Sequence, residues 1–87
     1  MPLNFQGIDP ETGDDNSPTV WVDDETRDIL VQAWDADDAT VTEISAKAWA
    51  PGHTPGIPAG ESVIRIPARM VPILRKACDA AERTDLR

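Results

Sequence analysis

His53 and Cys78 are the only imidazole and the only thiol in the chain. A general base or a nucleophile needs an orienting partner and a reacting group within hydrogen-bond reach, and neither residue stands in a motif that supplies them. His53 lies between prolines, in Pro51-Gly52-His53-Thr54-Pro55, where an exposed side chain is expected. Cys78 falls with Val71, Leu74 and Ala81 at helical spacing, which predicts a small buried hydrophobe. Catalytic thiols sit instead in electropositive, accessible settings beside a base.

Two groups of carboxylates stand out. Asp9, Glu11, Asp14 and Asp15, with Asn16, superficially resemble an oxygen-rich cation loop. They lack the alternating ligands, central glycine and distal glutamate of a helix-loop-helix calcium site, so a solvated loop is expected. Asp23, Asp24, Glu25 and Asp28 crowd a predicted hairpin turn, where they either keep an edge soluble or meet a basic partner. Among the cations, Arg69, Lys76 and Arg83 recur every seven residues along one side of the last helix. Pairing of Arg75 with Asp79 and of Asp79 with Arg83 at i,i+4 would neutralise much of that charge. Neither catalysis nor a cofactor nor a metal site is expected from these residue types at these spacings.

Aromatic placement points elsewhere. Thr19-Val20-Trp21-Val22-Asp23 and Ile29-Leu30-Val31-Gln32-Ala33-Trp34 are β-branched and aromatic runs on either side of Asp24-Glu25-Thr26-Arg27, a pattern that predicts a β-hairpin. Its register sets Val22 against Ile29, Trp21 against Leu30 and Val20 against Val31. Alternation then places Val20, Val22, Ile29, Val31 and Ala33 on one face and Trp21, Leu30 and Trp34 on the other. One face packs on helices. The other needs a cover, either the N-terminal segment through Leu3, Phe5 and Ile8 or another protein chain. Trp21, Leu30 and Trp34, flanked by Asp23, Asp24 and Glu25, are therefore the candidate protein-interaction residues.

The remaining elements follow from local signals. Residues 1–18 read as an irregular segment of turn formers and charges. Thr40 and Glu43 have capping-box spacing ahead of a short helix from about residue 39 to 49. Residues 51–60, with three prolines and three glycines, form a loop. Glu61-Ser62-Val63-Ile64-Arg65-Ile66 reads as a third strand, and a helix then runs to about residue 83. Pro72 fits only the first turn of that helix, so residues 67–71 are predicted to form a tighter turn before it. The fold class is α+β, with a small antiparallel sheet of hairpin plus third strand, in the order β-β-α-β-α. Residues 19–87 make one domain.

Size and charge bound the function. The chain has 87 residues and a formal net charge of -8, with 12 acidic and 2 basic groups in residues 1–60 against 4 and 6 in residues 61–87. Direct nucleic-acid binding is disfavoured, because phosphate affinity comes largely from basic side chains that release counterions. A single cysteine excludes an internal disulfide. No apolar run is long enough to span a bilayer, and the N-terminus has no basic and apolar leader pattern; a cytoplasmic location without membrane partners is expected. Six Arg against two Lys, with abundant Ala, Asp and Pro, suggest a GC-rich genome.

Val20-Trp21-Val22 with Ile29-Leu30-Val31, followed by Val63-Ile64-Arg65-Ile66-Pro67-Ala68-Arg69-Met70, gives a hairpin and then a strand running through Pro-Ala into a terminal helix. In this the chain resembles the small acidic actinomycete proteins encoded beside helix-turn-helix regulators, the group associated with BldB and WhiJ in developmental control. The resemblance covers about half the chain and implies a nonenzymatic regulatory interaction module, partnered by a helix-turn-helix regulator. A homodimer is a further candidate assembly. The alternative function is an antitoxin or DNA mimic, whose carboxylates would occupy a nucleic-acid site on its target.

Overall fold

The computed structural model describes residues 2–11 and 17–83. Its elements are β1 (Leu3–Ile8), β2 (Thr19–Asp23), β3 (Ile29–Gln32), β4 (Trp34–Asp35), α1 (Asp38–Ser45), β5 (Ile64–Arg65), a 3-10 turn (Ala68–Met70) and α2 (Val71–Glu82). The class is α+β, with a three-stranded antiparallel sheet, a short helix, a second strand pair and a C-terminal helix. The chain divides into two compact units, one of residues 1–33 with 66–87 and one of residues 34–65.

The first unit is a sheet in the order β1-β2-β3 with α2 packed on one face. The hairpin register is that set by the sequence, with Val20 opposite Val31, Trp21 opposite Leu30 and Val22 opposite Ile29. The third strand of this sheet differs: it comes from residues 3–8, inside the segment that reads as irregular, and not from residues 61–66. Leu3 and Phe5 alternate with Asn4 and Gln6, the period of a strand, and β1 lies antiparallel to β2 with Phe5 opposite Trp21 and Gly7 opposite Val20. A bulge at Gln6 shifts the register between Phe5 and Gly7, and the bulged carbonyl accepts a hydrogen bond from Lys76 Nζ at 3.3 Å.

The core is small and continuous. Val20, Val22, Met70 and Ala77 are fully buried, with Val31, Ile66, Ile73, Leu74, Ala80 and Ala81 packed around them. Burying each of the two valines stabilises the fold by about 1.5–3 kcal/mol. The helix seats closely because Gly7 has no side chain: a Cβ there would lie 2.9 Å from Ile73 Cγ2. This seating fixes the phase of α2 on Met70, Ile73, Ala77 and Ala80. Val71 and Cys78 are consequently exposed, a correction to the buried stripe of Val71, Leu74, Cys78 and Ala81. Pro72 occupies the first turn of α2, after the 3-10 turn over Ala68–Met70 closed by Met70 N–H on Pro67 O at 2.9 Å. There its missing N–H costs no helical bond.

In the second unit β4 pairs antiparallel with β5, Trp34 opposite Arg65 and Asp35 opposite Ile64. The strand over residues 61–66 is thus shortened to two residues and joins a different sheet. The N-cap of α1 is Asp37, three residues before the predicted Thr40, because its carboxylate accepts the Thr40 N–H at 2.9 Å. The Thr40 hydroxyl instead accepts from Arg65 at 2.9 Å. The helix stops at Ser45, short of residue 49; Trp49 Nε1 donates to the freed Ile44 carbonyl at 2.8 Å.

Candidate functional site

The sheet of the first unit has an unlike pair of faces. On one side Val20, Val22 and Val31 meet α2. On the other, the register lines up Phe5, Trp21 and Leu30 across all three strands, with Leu3 two pairs further along β1, opposite Asp23. Among the described residues of this unit no second layer covers that row. Phe5 is 57% exposed and Leu3 40%, while Trp21 and Leu30 are half-buried. Residues 3–8 therefore do not lie over Trp21: β1 joins the sheet edge by backbone hydrogen bonds and extends the apolar row by one aromatic ring.

The turn that joins β2 and β3, beside this row, is rigidly built. One Asp23 carboxylate oxygen accepts from Glu25 N–H at 2.8 Å and from Thr26 N–H at 3.1 Å. Asp28 N–H donates to the Thr26 hydroxyl at 3.1 Å, and Arg27 N–H to Asp23 O at 2.8 Å. Asp23 thus shapes the turn, whereas Asp24 and Glu25 stand exposed. Arg27, at φ 70°, is the cation nearest in sequence to these carboxylates, yet its guanidinium turns to the end of α2, donating to Ala80 O at 3.4 Å and to Arg83 O. The last carbonyls of that helix lack a glycine cap, since Arg83 leaves it in an extended conformation. Arg27 satisfies them. Sequence reasoning treats Arg27 only as a loop residue, because a cap separated by more than 50 positions leaves no local signal.

Trp34 is not a residue of the three-stranded sheet. The chain leaves β3 after Gln32, and Trp34 belongs to the β4–β5 pair of the second unit, 43% exposed. That unit holds a further aromatic, Trp49, 60% exposed with Lys47 Nζ 4.1 Å from its ring centroid. A crevice of about 300 Å³ there is lined by the consecutive residues Thr54–Pro58, which bring one hydroxyl and no titratable group.

The remaining charged candidates serve the fold. Asp9, expected in a solvated loop, has a fully buried side chain that accepts two hydrogen bonds at 2.7 Å from the Arg69 guanidinium. It also accepts the Glu11 N–H at 3.0 Å. The hydrogen bond to Asp9 holds the Arg69 guanidinium above its already high ordinary pKa. Arg69 and Lys76 therefore tie α2 and its preceding turn to β1 and the residue that follows it. No i,i+4 ion pair closes at Arg75–Asp79 or Asp79–Arg83 among the described residues. Asp14, Asp15 and Asn16 lie outside the described residues. His53 is exposed in its loop, and among the described residues no three His, Cys, Asp or Glu side chains gather as a metal-ligand set. No described helix is long and apolar enough to cross a membrane.

No family model matches the chain, and no curated protein or solved structure is significantly similar to it. The functional reading accordingly rests on the open apolar row and the turn beside it.

Proposed function

We propose that the protein is a nonenzymatic, cytoplasmic interaction module that regulates a DNA-binding protein by docking through its sheet, in the manner implied by the resemblance to proteins encoded beside helix-turn-helix regulators. The observation that carries this reading is the Phe5-Trp21-Leu30 row, apolar, contiguous over three strands and without a covering layer among the described residues of its own unit. Exposed apolar patches of this kind mark association surfaces, and tryptophan is enriched among their anchors. Asp24 and Glu25 in the turn beside it favour a basic partner and repel nucleic acid. Mimicry of DNA is the weaker reading. It needs a run of free carboxylates at phosphate-like spacing, whereas Asp9 is buried against Arg69, Asp23 closes a turn and Asp37 caps α1.

The test uses Trp21→Ser against Val22→Ser, with the helix-turn-helix regulator encoded nearest to this protein's gene as the partner. Trp21→Ser is expected to leave the thermal midpoint close to that of the parent and to weaken binding by about thirtyfold or more, the effect of losing a central anchor. Val22→Ser, in the core, is expected to unfold the protein. Equal loss of fold in both variants would show that the Trp21 face is interior, and the reading would fall.

A further inference from the structure

The occupant of the open face has to match its shape and its charge, and resting on the interaction reading above, we infer that it is a cationic amphipathic helix of the partner. It lies along β2, its width covering the cross-strand row of Phe5, Trp21 and Leu30, with its basic end above the hairpin turn. Strands about 4.8 Å apart make a three-stranded sheet about 10 Å across between its outer backbones, the diameter of one α-helix. The five residues of β2, at about 3.3 Å each, run about 17 Å, the length of about eleven helical residues. The opposite face of the same sheet shows the match, because one helix of 12 residues, α2, covers it. A helix on the open face completes the layered arrangement in which a sheet with two apolar faces is buried on both sides.

Charge selects among helices. Asp23, Asp24, Glu25 and Asp28 surround the turn at the hairpin end of the face, and among the described residues no cation pairs with any of them. Arg27, the residue placed to neutralise them, is committed to the carbonyls at the end of α2. That end of the face is therefore negative beside an apolar strip, and a helix with Lys or Arg in its terminal turn and leucine-type residues along one stripe is complementary to both. A second copy of this chain is a poor occupant, since each copy brings a net charge of -8 and like charges oppose close docking.

Two labelled amphipathic peptides test this, each about fourteen residues long with leucines at i, i+3, i+4 and i+7. One ends in Lys and Arg, the other in Glu at the same positions. In anisotropy titrations with the full chain, the basic peptide is expected to bind at least about tenfold more tightly than the acidic one, and the difference to shrink with added salt. Phe5→Ser removes an exposed ring without touching the core and is expected, like Trp21→Ser, to weaken the basic peptide. Asp24→Asn with Glu25→Gln is expected to bring the two peptides together in affinity. Equal binding of both peptides, still dependent on Phe5 and Trp21, overturns the cationic helix and leaves the interaction face standing. Failure of the basic peptide to bind at about 1 mM, a standard free energy near -4 kcal/mol, also overturns it. Binding that ignores both substitutions removes the interaction reading itself. A dimer in light scattering that Phe5→Ser dissociates makes a second copy the occupant and overturns the proposal.

Discussion

Arg27 combines a backbone cost with a distant contact. A side chain at φ 70° sits in the left-handed region, about 1–2 kcal/mol above the ordinary helical one for a residue with a Cβ. The turn keeps it there because its guanidinium hydrogen-bonds the exposed end of α2. Arg27→Ala retains the backbone cost and loses those charge-assisted bonds, so a loss of about 1–2 kcal/mol in urea unfolding is expected. Arg27→Gly loses the same bonds and relieves the backbone, and is expected to be about 1 kcal/mol less damaging than the alanine variant. If the two variants unfold at the same urea concentration, the left-handed conformation carries no cost. If Arg27→Ala is neutral, the contact with α2 is not stabilising.

At the level of elements, the close approach of α2 to β1 depends on an absent side chain. Gly7→Ala sets a methyl 2.9 to 3.1 Å from three carbons of Ile73, and overpacking of this kind costs about 1–3 kcal/mol. Trimming the neighbour tests the cause: Ile73→Val in the Gly7→Ala background is expected to recover part of the loss, and strict additivity in a double-mutant cycle would assign the damage elsewhere. The N-terminus of α1 responds to pH. The Asp37 carboxyl is held below its ordinary value of 3.8 by hydrogen bonds from the Thr40 hydroxyl and the Thr40 N–H, with a smaller contribution from the charge of Arg65. Its folded-state value is the lower one, so the cap contributes fully above about pH 4 and is lost as pH falls through that depressed value. Amide resonances of α1 are expected to show fraying on acidification, and Asp37→Asn, which caps without titrating, is expected to flatten the response. An unchanged pH profile in that variant would place the titrating group elsewhere.

For the molecule as a whole, burial is unevenly shared between the two units. Residues 34–65 contain no fully buried residue, and α1 buries none of its side chains, whereas the first unit holds the whole of the buried cluster. Local opening requires little free energy where few apolar groups leave a core. Hydrogen exchange is therefore expected to be fast throughout α1 and slow in β2 and at Ala77 of α2, with protection factors differing by about two orders of magnitude or more, equivalent to about 2.7 kcal/mol. Equal protection in α1 and α2 would show that residues 34–65 are held by a cooperative unit larger than their own burial provides.

The hairpin, its register, the delayed start of α2 at Pro72 and the acidic turn were legible in the sequence, because each follows from neighbours. β-branched runs flanking four turn residues admit one pairing, proline fixes φ, and charges need no partner to be counted. The N-terminal strand, the pairing of Ile64–Arg65 with Trp34–Asp35, the exposure of Cys78, the burial of Asp9 against Arg69 and the cap supplied by Arg27 were decided only in three dimensions. Strand pairing is a property of two segments, and residues 3–8 reveal their role only beside β2. The phase of an amphipathic helix with apolar residues on more than one side is set by what it packs against; the absent side chain of Gly7 and the small Ala77 turned α2 so that Cys78 faces outward. The same distinction applies to the candidate site. Trp21 and Leu30 were placed together by alternation within one hairpin, but Phe5 entered and Trp34 left because sheet membership depends on backbone hydrogen bonds between distant residues, which no local pattern encodes.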